Sequence, residues 1–146
     1  LRCDKATLAA LAATLKLYRD PDRLAARLPT LGRLARTAAE IRRDAEALRG
    51  DIVEFLSADF TIMVADCAGQ IGSGALPVET LESAALTITP NATRGRGAAL
   101  KRLAARFRAL PIPVIGRVQD DALWLDLRCL DDIDGFRAQL RNGADQ

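Results

Sequence analysis

The chain has 146 residues, 49% of them hydrophobic, which is enough for one ordinary hydrophobic core but not for two large ones. Its net charge is only +2, so the arginine-rich basic set does not by itself indicate a nucleic-acid site, and the absence of histidine removes the commonest general base and metal ligand. Three widely separated cysteines with no Cys-x-x-Cys pair favour neither a disulfide framework nor a zinc site.

The first third of the chain is predicted to be helical. Apolar residues at helical spacing predict a helix over 4–18. An Asp-Pro pair at 20–21 begins a second, short helix, which Pro29 ends. An apolar stripe predicts a third helix over 31–48, with Gly50 stopping it or marking a break.

The composition then shifts towards residues that favour strands. Two stretches rich in β-branched and apolar residues predict strands near 60–65 and 84–89. The glycines at 70–77 predict an irregular loop, in which a Gly-x-Gly pattern is only a weak signal for phosphate binding. Helices follow over 95–110 and 132–141, each with an apolar face for the core.

Residues 113–128 are predicted to form a β-hairpin whose turn is 120–121, because apolar and polar residues alternate on both sides of two aspartates. With a two-residue turn, one face of the hairpin is wholly apolar, because Val118 pairs with Leu123, Gly116 with Leu125 and Val114 with Leu127. The other face places Arg117 opposite Trp124 with Asp126 on the diagonal, which suits a cation–π contact and an ion pair.

After the N-terminal helices, the predicted order is helix, strand, strand, helix, hairpin, helix. This order is typical of an α+β fold with an antiparallel sheet covered by helices on one face. We expect a helical segment over 1–50 and the α+β domain over 51–146. No apolar stretch has the length of a membrane span, so we expect no membrane association and a cytoplasmic protein.

The helix predicted over 95–110 has a basic outer face that carries no acidic residue. Such a face is more often simply solvated than bound to a partner. A second interpretation is a non-catalytic RNA-binding or assembly module that uses Arg94, Arg96, Arg102 and Arg106. Against this, no exposed aromatic residue is interleaved to stack on bases.

Three segments are specific enough to compare with known families. They read LRCDKATLAALAATLKLY at the start, QIGSGALP in the middle and PVIGRVQDDALWLDLRCL near the end. Together, and in this order, they resemble the bacterial selenocysteine synthases, which are L-seryl-tRNA(Sec) selenium transferases. The resemblance extends over essentially the whole chain.

The resemblance implies the C-terminal small domain of an aspartate-aminotransferase-like (fold type I) enzyme that uses pyridoxal 5′-phosphate. Residues 1–50 then form a helical connection from a large cofactor domain, and 51–146 the small domain. The complete enzyme would convert L-seryl-tRNA(Sec) to L-selenocysteinyl-tRNA(Sec) with selenophosphate, as a cytoplasmic homo-oligomer. The alternative is the small domain of another fold type I enzyme.

The family's cofactor lysine lies in a Gly-Asp-Lys-Leu-Leu-Gly-Gly-Pro type motif that this sequence lacks, so we expect that lysine upstream of Leu1 and no catalytic residue in this chain. Lys5 follows an aspartate, but no glycine-rich turn follows it. The resemblance nominates Arg2 for binding selenophosphate, because a planar guanidinium binds an oxyanion bidentately. Further candidates for contacts with the substrate are Arg117, Gln70 and Gly72.

Overall fold

The structure, a computed structural model, describes residues 2–56, 58–70 and 80–144. It divides into two compact units, Leu1–Arg36 and Thr37–Gln146. We expected the division near residue 50, but the helix that follows Thr37 packs into the core of the second unit. Gly72 and most of the predicted loop over 70–77 lie outside the described residues.

The first unit contains the helices predicted before Pro29. Helix α1 spans Lys5–Leu17, and Asp4 caps it by accepting hydrogen bonds from the backbone N and the Oγ1 of Thr7, both at 2.9 Å. These bonds stabilise the carboxylate and lower the pKa of Asp4. A 3₁₀ turn at Pro21–Arg23 leads into helix α2 at Leu24–Arg27, which ends before the proline as predicted.

The single helix predicted over 31–48 is wrong, because the chain forms two helices there. Helix α3 spans Pro29–Ala35 and helix α4 spans Ala38–Phe55. Between them Thr37 and Glu40 form a capping box, in which the Thr37 side chain accepts from the Glu40 N at 3.2 Å and the Glu40 side chain accepts from the Thr37 N at 2.8 Å. Gly50 does not stop the second helix, since it lies on an exposed face of α4.

The second unit is built on a four-stranded antiparallel sheet in the order β1-β2-β4-β3. Its strands and remaining helices are β1 at Phe60–Gln70, β2 at Thr80–Pro90, α5 at Arg96–Arg108, β3 at Arg117–Gln119, β4 at Ala122–Asp126 and α6 at Ile133–Ala144. The predicted element order and the antiparallel α+β class are confirmed. Strands β1 and β2 extend several residues beyond their predicted ends, because pairing with each other supports residues of low strand propensity.

The hydrophobic core lies between one face of this sheet and helices α4, α5 and α6. The apolar face predicted for the last helix is buried there through Phe136 and Leu140. Because side chains alternate between the two faces of a strand, the sheet's share of the core comes from alternate residues of its strands. The leucines predicted for the apolar face of the hairpin are among them. These core residues are Ile62, Ala84, Leu86, Ile88, Leu123, Leu125 and Leu127.

The hairpin turn has the predicted length and register. Asp120 and Asp121 have φ values of 50° and 56°, as a tight two-residue turn with matching strand twist requires. Val118 pairs with Leu123 as predicted, yet Val118 is 56% exposed. The apolar face of the hairpin is therefore not buried along its whole length, since Val118 lies on the short edge strand β3.

Two glycines of the second unit should respond oppositely to substitution by alanine. A Cβ at Gly116 would lie 2.7 Å from the Trp124 carbonyl oxygen and 2.7 Å from Leu125 Cδ2, whereas a Cβ at Gly50 would meet nothing within 4 Å. We expect Gly116→Ala to destabilise the unit by about 1–3 kcal/mol through overpacking. Gly50→Ala should stabilise it by about 0.5–1 kcal/mol, because alanine favours a helix interior.

Urea titrations followed by the fluorescence of Trp124, the only tryptophan, check both values in the second unit. Equal effects of the two alanines would show that the close approach at Gly116 is not rigid.

An ion-pair cluster joins α4 to α6. The Asp51 carboxylate accepts from Arg137 Nε at 2.8 Å and from Arg141 Nη2 at 3.1 Å, and its side chain is 9% exposed. Burial alone would raise the pKa of Asp51, but the hydrogen bonds from the two arginines outweigh it and hold the pKa below its ordinary value.

This lowered pKa predicts an acid-sensitive contribution to stability. We expect Asp51→Asn to cost about 1–3 kcal/mol at neutral pH, because a charge-assisted contact is lost beside Arg137. The difference between wild type and variant should be constant well above 3.8, the ordinary carboxyl value, and shrink as the pH falls through the lower pKa of the folded state. Denaturation curves across this range measure it, with Glu46→Gln in the exposed pair with Arg49 as the control expected to change little.

Candidate functional site

The sheet face turned away from α4, α5 and α6 carries most of the polar side chains of the sheet. Alternation places Ser83, Ala85 and Thr87 of β2 on this face, since Ala84, Leu86 and Ile88 point into the core. Although they lie outside the main core, all three are almost completely buried, at 1%, 0% and 9% exposure. The neighbouring strands therefore cover the central strand with their own side chains.

Arg117 and Trp124 cover one end of this open face. The Arg117 guanidinium lies 5.5 Å from the centre of the Trp124 ring, which confirms the predicted cation–π contact. The indole Nε1 donates to the Gln119 carbonyl at 3.1 Å and fixes the ring. The ion pair predicted between Arg117 and Asp126 is wrong, because within the described residues the Asp126 carboxylate is engaged elsewhere.

Asp126 organises a partly buried network in the middle of the face. Its Oδ1 accepts from Ser83 Oγ at 2.7 Å and from the Arg128 backbone N at 3.0 Å. The Arg128 guanidinium, only 7% exposed as a residue, donates to the Glu82 carbonyl. The carboxylate, hydroxyl and guanidinium thus tie β2 to the end of β4.

Cys67 on β1 lies directly opposite Ser83. Burial raises the pKa of its thiol, and the nearby Asp126 carboxylate raises it further. A thiol that stays protonated is a poor nucleophile, and the chain has no histidine to act as its base. The open face is therefore a structural network with no arrangement for nucleophilic catalysis among the described residues.

No sequence pattern predicts this network. Ser83 and Asp126 are 43 residues apart, so no local pattern joins them. Strand alternation gives a partial signal in the sequence. Since Ala84 and Leu86 point into the core, Ser83 must lie on the other face of the sheet. Its partner depends on the β2–β4 register, in which Ala85 faces Asp126.

The nominated residues that the structure describes are distributed over both units. Arg2 is exposed and lies in the first unit, just before the N-cap of α1. Arg117 and Gln70 lie in β3 and β1, the two edge strands of the sheet in the second unit. Gly72 is outside the described residues.

The lysines of the chain do not fit a Schiff-base link to pyridoxal phosphate. Lys5, Lys16 and Lys101 are all exposed on helices, and none of them lines the four clefts found near Leu56, Ile112, Phe55 and Asp66 in the described part. A lysine that forms this link needs a pocket that holds the ring of the cofactor and lowers the pKa of the lysine amine. In the same described ranges, no group of three His, Cys, Asp or Glu side chains is placed to hold a metal ion. No described helix is long and apolar enough to cross a bilayer.

Comparison with known proteins assigns the family. The family model for L-seryl-tRNA selenium transferase matches residues 1–131. The chain belongs to this family. It is similar to L-seryl-tRNA(Sec) selenium transferases of Klebsiella pneumoniae, Shigella flexneri and Escherichia coli, with 59%, 54% and 53% identity over 140 residues. These matches cover 96% of this chain but 30% of each relative, so the chain spans about a third of the length of the family members it matches.

Proposed function

We propose that this chain is the C-terminal part of a selenium transferase that converts L-seryl-tRNA(Sec) to L-selenocysteinyl-tRNA(Sec) with selenophosphate. The observation that carries the proposal is the 59% identity, over 96% of the chain, to a relative with the name of that activity. Identity of this level over both units, including the hairpin, favours a shared role. We place the protein in the cytoplasm as a homo-oligomer, as the resemblance implies.

In this proposal the second unit is the small domain of a fold type I enzyme, and the helices before it connect to a large cofactor domain. The antiparallel sheet with helices on one face is compatible with that role. Pyridoxal phosphate, when bound, would supply the electron sink for loss of the α-proton. Since the lysines here do not fit the link, we assign the cofactor lysine to the part of the full-length protein upstream of Leu1.

The proposal is tested by assaying the full-length protein and this chain side by side. We expect the full-length protein to transfer radioactive selenium from selenophosphate to seryl-tRNA(Sec), in a reaction that requires pyridoxal phosphate. The 146-residue chain alone should give no transfer. Inactivity of the full-length, cofactor-loaded protein would overturn the proposed function.

Borohydride reduction gives an independent readout of the cofactor link. It should fix pyridoxal phosphate on the full-length protein at a lysine outside this chain, and peptide mapping locates the label. Stoichiometric labelling of Lys5 in the isolated chain would instead place the link within the residues described here.

A further inference from the structure

Helix α5 and the turn before it concentrate positive charge. Between Glu82 and Asp120 the sequence has no acidic residue, although the whole chain is nearly balanced at +2. The inner face of α5 packs into the core through four buried residues, Leu100, Leu103, Ala104 and Phe107. The basic residues therefore lie on the outward face, where Arg96 is half-buried and the others are exposed; they are Arg94, Arg96, Lys101, Arg102, Arg106 and Arg108. We call this set the α5 basic face.

Most cations of the α5 basic face are not neutralised within the protein. In the part of the chain that the structure describes, its one ion pair joins Arg96 to Asp121 across 3.8 Å, with the Asp121 side chain 72% exposed. No carboxylate lies within 4.0 Å of Lys101, Arg102 or Arg106 in that part. Elsewhere in the second unit, arginines on α4 and α6 are paired with Asp66, Asp51 and Glu46. Most of the positive charge of the α5 basic face is therefore available to a binding partner.

Arg102 and Arg106 also share a cleft. They lie one helical turn apart, which puts their side chains about 5–6 Å from each other at the base. Both line a cleft of about 500 Å³ with Asn91 and Asp59. Asn91 forms a rigid wall, since its Oδ1 accepts from Thr61 Oγ1 at 2.6 Å and its Nδ2 donates to the Ala58 carbonyl at 2.9 Å. The Arg106 guanidinium rests 4.1 Å from the centre of the Phe55 ring, which orients it at the rim.

We propose that the α5 basic face, centred on Lys101, Arg102 and Arg106, binds the sugar-phosphate backbone of RNA. The inference rests on the proposed function, for which the RNA is seryl-tRNA(Sec). Two neighbouring guanidiniums suit successive phosphates, and the uncharged Asn91 side chain beside them suits contacts with the sugar-phosphate backbone. No aromatic side chain is exposed on this face, because Phe107 is buried, so it positions the RNA without reading its bases.

An acidic protein is a weaker match for this face. A protein partner of this kind would need an apolar centre to its interface, and large apolar side chains are missing from the exposed set on α5. Phosphates, in contrast, need only cations and hydrogen-bond donors, which this face supplies.

The test uses charge reversal in the full-length protein with tRNA(Sec) transcript as the probe. Arg102→Glu is compared with Arg43→Glu, an exposed arginine on α4 that gives the same change in net charge. We expect Arg102→Glu to weaken binding roughly 10-fold at low salt and to lower the slope of log Kd against log salt by about one. Arg102→Lys should keep the slope, and Arg43→Glu should resemble wild type.

Each outcome decides the proposal. Equal effects of Arg102→Glu and Arg43→Glu, or no effect of either, overturn it, because binding would then depend on net charge or on another surface. Polyglutamate serves as a second probe that stands for an acidic protein. If Arg102→Glu loses binding to polyglutamate while its binding to tRNA is unchanged, the proposal is overturned in favour of an acidic protein partner. Turnover of seryl-tRNA(Sec) by the wild type is measured in parallel. Its absence would refute the proposed function and leave the salt-slope result for the RNA surface standing.

Discussion

Replacing Phe107 by alanine is expected to destabilise the second unit by about 3–5 kcal/mol. The ring is fully buried and packs at 57° against the Phe55 ring, with 5.4 Å between their centres. Truncation leaves a cavity between α5 and the sheet and removes this ring contact. The Phe107 carbonyl, which accepts from the Val114 N at 3.0 Å, also anchors the segment that leads into the hairpin.

Urea unfolding followed by Trp124 fluorescence measures this loss within the second unit. Val53→Ala on α4 is the control, since Val53 is 51% exposed and its truncation should change stability by no more than about 0.5 kcal/mol. A Phe107→Ala variant as stable as Val53→Ala would contradict the close packing of α5.

The elements that sequence patterns predicted are those in which local signals and long-range packing agree. The hairpin is the clearest case, because Asp120 and Asp121 fit the turn and the alternating leucines fit the core. The break before α4 was not predicted, because the helical spacing of apolar residues continues through it. The capping box that Thr37 and Glu40 form is the sequence signal that marks this break. Gly50 was misread because a glycine on an exposed helix face has a cost of only about 1 kcal/mol, which the buried face of α4 offsets.

The functional site was less predictable than the fold. The network around Asp126 depends on strand register across the sheet, which no single stretch of sequence contains. Arg2 and Arg117 were nominated through the family resemblance, and their roles stay predictions. The α5 basic face was visible as a run without acidic residues, but only the structure shows that Arg102 and Arg106 share a cleft.

On the proposed function, replacing Arg2 by alanine in the full-length protein is expected to raise the KM for selenophosphate roughly 10- to 100-fold with a smaller change in kcat. A charge-assisted contact to an oxyanion contributes about 1.5–3 kcal/mol, which corresponds to this range. Pairing with Asp4 is the competing role for Arg2, but both carboxylate oxygens of Asp4 accept from Thr7. In the described residues Arg2 is exposed and has no ion pair.

Steady-state rates across a selenophosphate series separate the two roles. Arg2→Lys should recover part of the affinity, since lysine keeps the charge but lacks the planar fork. Lys5→Ala, which removes an exposed cation three residues away, should leave the KM unchanged. An unchanged selenophosphate dependence in Arg2→Ala would show that this arginine does not bind the anion.

The two edges of the sheet differ in how they resist unwanted association. On one side β3 is only three residues long and ends at two aspartates, so it offers few free backbone groups to a foreign strand. On the other side β1 extends over 11 residues, and no described strand pairs with its outer edge. Asp66, paired with Arg42 of α4, places a charge in the middle of that edge. Aggregation of a partly folded chain would therefore begin at β1, and Asp66 acts there as a gatekeeper.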